Sequence, residues 1–196
     1  MTIKKTFCLL LLIVGTTSAA SGQVFAAKTN MLVDATATVN AGVEFALAPR
    51  WTFDLSGNYN AWSVSEGQKW KHWLAQPELR YWFCDRYSRH FLGIHALGGQ
   101  FNVGGIRALD GVRIFGTDFS NLANYRYEGW GVGGGLAYGY AFILGRHWNL
   151  ELEAGVGYLL LEYDQFQCRD CGRKVGDGRR HYVGPTKAAI NLVYVF

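Results

Sequence analysis

The chain has 196 residues, of which 49% are hydrophobic, 15% aromatic and only 17% charged, with a formal net charge of +4. That balance excludes intrinsic disorder, which needs low hydrophobicity and high net charge. The 25 glycines keep no period of three, which excludes collagen, and their number beside 11 Tyr and 7 Trp argues against a helical bundle. What remains is sheet, with one face turned to something other than water.

Lys4 and Lys5 precede an apolar run from Phe7 to Val14, and small residues follow at Gly15 and from Ser18 to Gly22. This is the layout of a secretory signal peptide, so residues 1–22 are expected to be a cleaved leader and residues 23–196 the mature domain. The apolar run is too short for an anchor, since a spanning helix needs about 20 residues. Without Lys4 and Lys5 the chain holds 17 basic against 15 acidic side chains, so its charge carries no nucleic-acid signal.

Strict alternation of apolar and polar positions predicts strands. From Trp148 to Asp164, one face carries Leu150, Leu152, Ala154 and Val156, and the other carries Glu151 and Glu153. A helix would scatter those two glutamates; a strand puts both on one side. The same reading predicts eight strands, over about 28–36, 39–48, 51–62, 71–84, 89–103, 127–144, 148–164 and 182–196. The first alternates only loosely, and the fifth changes phase near Gly98-Gly99, which suggests a bulge. Short turns at Ala48–Arg50, Cys84–Ser88 and Gly145–His147 alternate with longer loops at 63–70, 104–126 and 165–181. An even strand count with turns on one side and loops on the other is the layout of an outer-membrane barrel. The expected fold is therefore all-β, an eight-stranded antiparallel up-and-down transmembrane β-barrel with periplasmic termini.

The rival is a soluble barrel such as a lipocalin, with its apolar face inward. Three features favour the membrane. Aromatics stand near strand ends (Trp51, Trp62, Trp70, Trp73, Trp82, Trp130, Trp148, Tyr182), as interfacial girdles require. The polar faces are too poor in charge to be good solvent faces. The chain also ends on an apolar ladder, Ile190, Leu192, Tyr194 and Phe196, which resembles the C-terminal assembly signal of bacterial outer-membrane barrels.

Several segments together carry a family resemblance: Lys28-Thr29-Asn30, Gly42-Val43-Glu44, Trp51 to Gly57, Lys69 to Trp73, Gln76 to Trp82, His90 to Gly93 and Gly184 to Ala188. From about Ala27 to Phe196 the chain resembles a domain-of-unknown-function family (3575) of small outer-membrane proteins from Bacteroidota. The resemblance implies an eight-stranded outer-membrane barrel and no established activity. It implies as partners outer-membrane lipid, the barrel-assembly machinery during insertion and, as a weak lead, a surface-fibre or other envelope protein.

Eight strands enclose little more than their own side chains. Charges on the inward faces must therefore pair or be strongly disfavoured by desolvation. The candidates are Lys28, Glu44, Asp54, Glu78, Arg80, Glu151, Glu153 and Lys187. They read either as a salt-bridged plug, the favoured reading, or as a gated ion path, a narrow channel. In the last loop, Cys168 and Cys171 read as a small disulfide in an exported protein, with a metal site or free thiols as alternatives. The same loop is basic at Arg169, Arg173, Lys174, Arg179 and Arg180. It is either a solvated loop or a contact for lipopolysaccharide phosphates. No cofactor motif and no ordered Ser–His–acid set is found, so a lipid-modifying enzyme using His181 or His72 is the minor alternative to a non-enzymatic, structural or surface-interaction role.

Overall fold

The computed structural model describes residues 24–65, 68–105, 113–114, 117–118, 125–167 and 172–196. The expected leader lies outside the described residues. The elements in chain order are β1 (Phe25–Asn30), the helical turn α1 (Met31–Asp34), β2 (Val39–Ala48), β3 (Trp51–Asn60), β4 (Ser63–Ser65), β5 (Gln68–Trp82), β6 (Arg89–Gly104), β7 (Arg113–Ile114), β8 (Thr117–Asp118), β9 (Arg126–Ile143), β10 (Trp148–Phe166) and β11 (Lys174–Val195). Eight of these strands pair antiparallel in the order β1-β2-β3-β5-β6-β9-β10-β11, and β11 returns to β1 to close a ring. β4 adds to β5, and β7 pairs with β8 as a separate two-stranded sheet within the long loop. Among the described residues, no helix is long and apolar enough to cross a membrane, which says nothing about strands.

The ring is uneven. Its strands lengthen from 6 residues in β1 to 22 in β11. β1 joins β11 only from Ala26↔Val195 to Asn30↔Asn191, while β10 and β11 run on together as a tall hairpin. β1 stops early because Asn30 caps a helical turn: its side-chain oxygen accepts from the Leu32 N–H at 3.1 Å. Asn40 Oδ1 in turn accepts the Asn30 N–H at 2.6 Å. The strand expected over 28–36 is thus replaced beyond Asn30 by α1, which explains its loose alternation.

Alternation sets the two faces. Inward positions hold the charges, among them Lys28, Glu44, Asp54, Glu78, Arg80, Glu151, Glu153 and Lys187, all buried. Outward positions hold exposed apolar side chains such as Leu55, Ile94, Leu136, Val156 and Val183. The lipocalin arrangement, with its apolar face inward, is the opposite of this one.

Three further sequence expectations need correction. β6 has no bulge: its register with β5 and β9 runs unshifted, and only the character of the two faces changes above His95. A bulge lies instead in β11, where Lys187 pairs with Gly155 and Pro185 with Val156, leaving Thr186 over. The extra residue lets Thr186 and Lys187 both reach the interior. Trp82 and Trp70 are not girdle residues, because their shared parity on β5 turns both inward: Trp82 is fully buried and Trp70 lines the lumen. The loop expected over 165–181 is mostly strand, since β11 begins at Lys174.

The glycines divide into two kinds. In the charged half they make room for large side chains: a Cβ on Gly93 would overlap Glu78, and one on Gly139 would overlap the Phe91 ring. Along upper β9 the obstacle is backbone. A Cβ on Gly133 would strike the Tyr158 carbonyl oxygen, and one on Gly135 that of Val156. There the glycines allow β9 to coil tightly against β10, and lumen space is not the limit. Gly133→Ala should therefore lower unfolding stability by about 1–3 kcal/mol, as overpacking does. Gly145→Ala, in a turn with nothing within 4 Å of the new methyl, should be near neutral. Urea unfolding midpoints of the two variants check this, and equal midpoints would contradict it.

Candidate functional site

The floor of the ring is apolar. Trp82, Phe91, Val193, Val195, Ala26 and Ala141 meet there with Tyr87. Tyr87 comes from the β5–β6 turn at a left-handed φ of 60°, a conformation disfavoured for a bulky side chain. Its position is held by packing against Trp82 and by its carbonyl, which accepts from Asn149 Nδ2 at 2.7 Å. Burial raises the Tyr87 phenol above its ordinary pKa, and the nearby Glu44 carboxylate adds to the rise.

Above this floor the charges converge on Arg80. Its Nε donates to Glu78 at 2.7 Å, its Nη1 to Glu44 at 2.8 Å and Glu151 at 3.1 Å, and its Nη2 to Glu153 at 2.8 Å. The guanidinium also lies 4.5 Å from the centre of the Phe91 ring, whose face favours a cation. Lys28 bonds Glu44 and lies 3.3 Å from Asp54 and 3.4 Å from Glu151. Lys187 bonds Glu78 and lies 3.0 Å from Glu153. All eight charged residues singled out from the sequence thus form one buried cluster, contributed by β1, β2, β3, β5, β10 and β11. Five carboxylates face three cations, a formal excess of two negative charges, and Glu44 Oε1 and Glu151 Oε1 have no hydrogen-bond partner.

A polar layer covers the cluster. His95 Nε2 lies 2.9 Å from the Thr186 hydroxyl, and Gln76 Nε2 reaches the Thr186 carbonyl at 3.5 Å across the ring. Sequence reasoning missed this layer, because it depends on the β11 bulge. It also missed Tyr87, whose only sequence signal was its place in a short turn.

The remaining candidates are dispersed. Cys168, Cys171 and Arg169 lie outside the described residues, and Cys84 is a free, exposed thiol. Lys174 pairs with Asp164 at 2.7 Å, and Arg179 with Glu162 at 3.0 Å, so these two cations brace the β10–β11 hairpin. The hydrogen bond to Asp164 raises the Lys174 pKa above its ordinary value. Arg173 and Arg180 are exposed. His181 bonds the Tyr158 hydroxyl on the outer face, and His72 stacks edge-on with Trp70 at 5.7 Å. On the terminal ladder, Tyr194 packs against Trp148 and Phe196, each at 4.9 Å, and the Phe196 N–H closes onto the Phe25 carbonyl at 3.0 Å.

Fold and site together define a class: an all-β ring with a charged, ion-paired interior and an apolar outside. The chain belongs to the family described as protein of unknown function (DUF3575), whose model matches residues 6–196. No curated protein and no solved structure matches it.

Removing the central cation leaves buried charge uncompensated. Arg80→Met should therefore cost about 3–5 kcal/mol of stability, while Glu44→Gln, which reduces the negative excess, should cost clearly less. Unfolding midpoints in urea test the order, and a tolerated Arg80→Met beside a damaging Glu44→Gln would contradict it.

Proposed function

We propose that the protein is a non-enzymatic β-barrel of a bacterial outer membrane, plugged by the Arg80 cluster, with a structural or surface-interaction role in the envelope. One observation carries the reading: the charges are inside and the apolar side chains outside. Fully buried Glu44, Arg80 and Glu151 lie behind an outer face of exposed Leu55, Ile94, Leu136, Val156 and Val183. Exposed apolar surface on that scale marks contact with lipid or with another protein. An apolar band around a polar interior is the arrangement of a strand-built membrane span. Exposed Trp51 and Trp148 near the short turns, and Trp73 and Trp130 toward the other end, supply two interfacial girdles. The resemblance to outer-membrane proteins of Bacteroidota points the same way.

In this reading the termini and short turns face the periplasm, and the tall β10–β11 hairpin reaches outward. The terminal ladder through Phe196 is the segment the assembly machinery recognises. Outer-membrane lipid surrounds the ring. Among the described residues, exposed Arg173 and Arg180 are the cations of this segment offered to lipopolysaccharide phosphate, since Arg179 and Lys174 hold carboxylates. A surface fibre or other envelope protein is the partner class for the outer rim. Ion pairs in a dry lumen oppose conduction and fix strand register, which favours a plug over a channel.

Reconstitution into planar bilayers tests the plug. The wild-type protein should give no steady conductance, and a large steady conductance would overturn the reading. Lipid A mass spectra from cells with and without the gene should be identical; a mass difference would replace the non-enzymatic role with a lipid-modifying one.

A further inference from the structure

Above the His95–Thr186–Gln76 layer the β5, β6 and β10 side of the lumen turns apolar, while the β3 side keeps buried Asn60, which donates to Thr38 at 2.9 Å. Leu74 of β5, Leu97 and Phe101 of β6, and Leu159 and Leu161 of β10 occupy inward register positions there. Together with Trp70, Val103 and the polar His72 they line a cavity of about 250 Å³. On β9 the inward positions facing them are Gly129, Gly131 and Gly133, which contribute no side chains to fill it. Apolar walls at the mouth of a narrow ring do not suit a water-filled vestibule, because each such side chain is better placed against apolar matter. Pockets of this kind, mostly apolar with a few polar groups at one end, are ligand sites, and eight strands leave room for one small ligand.

The outer face of the same strands carries a second feature. A groove of about 490 Å³ lies between Trp73 and Trp130, with Ala75, Pro77, Ala96 and Gly98 along it. Between groove and cavity stand Gly98, Gly99 and Gly131, in an unbroken β6–β9 ladder with Leu161 packed over Gly131. The β5–β6 ladder also lapses beside them: Ala75 pairs with Gly98 and Glu78 with His95, but the two positions between are unpaired on this side. Pro77 has no N–H to donate there.

We propose that the outer half of the lumen binds a single lipid acyl chain, admitted from the surrounding leaflet across the β5–β6 seam and stopped at the polar layer over the charged plug. The proposal rests on the membrane reading above. The occupant follows from continuity, because the groove opens onto the apolar belt that would meet lipid and runs past Pro77 and Ala96, where the β5–β6 ladder lapses beside a cavity lined mainly by Leu, Phe and Trp. The charged cluster below gives the chain a floor it does not cross.

Photolabelling tests it. The protein is incorporated into phosphatidylcholine vesicles in which one chain carries a terminal diazirine, irradiated, and mapped by peptide mass spectrometry. The expected adducts fall on inward Leu97, Phe101, Leu159 or Leu161 as well as on outward Ile94, Leu136 and Val156. Leu159→Trp, which fills the cavity, should reduce the inward adducts by roughly tenfold and leave the outward ones unchanged. Adducts on outward positions alone would overturn the acyl site and leave the membrane reading standing. Adducts on neither set would overturn both. The wild-type pattern decides the matter even where the variant fails to fold. Suppression of inward labelling by added lipopolysaccharide assigns the chain to lipid A, and persistence assigns it to phospholipid; either result supports the site.

Discussion

Arg80 and the four glutamates that bind it are the constraint on which the rest of the ring depends. A guanidinium at the centre of an eight-stranded ring is out of reach of water, and its donors must all find acceptors. Glu44, Glu78, Glu151 and Glu153 provide them from three strands on different sides of the lumen. Such a cluster is not a strong source of net stability, since desolvation offsets most of the Coulomb gain. Its effect is on register. A slip of one residue in β2, β5 or β10 would turn a carboxylate or the guanidinium to the apolar face, so one register is strongly preferred.

The other features accommodate that centre. Gly93 and Gly139 make room for Glu78 and Phe91, and Phe91 places its ring under the guanidinium. The β11 bulge brings Thr186 over the cluster and Lys187 into it. Trp82 and Tyr87 seal the floor. Higher up the demand changes: the strands lengthen, the charges end, and the glycines of β9 serve coiling instead of side-chain room. The ring is thus divided into an apolar floor, an ionic middle, a thin polar layer and a mouth that is apolar on its β5, β6 and β10 side.

Much of this was legible because a period of two is a strong signal. The alternation of Glu151 and Glu153 with Leu150 and Leu152 identifies both the strand and its inward face. The same rule assigns Arg80 and Glu78 to one side of β5. What alternation cannot convey is a local interruption. Asn30 reads as one more strand residue until its side chain is seen capping α1. The surplus residue Thr186 shifts the phase of β11, and its one signal in the sequence is Gly184-Pro185 just before it, since proline within a sheet is confined to edges and bulges. The phase change near Gly98 reads as a bulge, but the strand is regular and only its environment changes. Trp82 was grouped with interfacial aromatics by its nearness to a turn, although parity already assigned it to the Arg80 face. Loop length was overestimated at 165–181, because Lys174, Asp177 and Arg179 look like solvated loop residues and are paired along a hairpin.

The ring as proposed is inside out, with a dry ionic core and a lipid-facing exterior. Site-directed spin labelling tests it most directly, at single cysteines in a background free of native cysteine, with the protein in bilayers. Inward Ala137, Ala141 and Ala189 and outward Leu136, Phe142 and Ala188 are suitable positions, since none belongs to the charged cluster. Outward labels should be relaxed by oxygen dissolved in the lipid, and inward labels should be reached by neither oxygen nor a water-soluble nickel complex. Inward labels open to the nickel complex, or outward labels exposed to it along the whole strand, would contradict this arrangement.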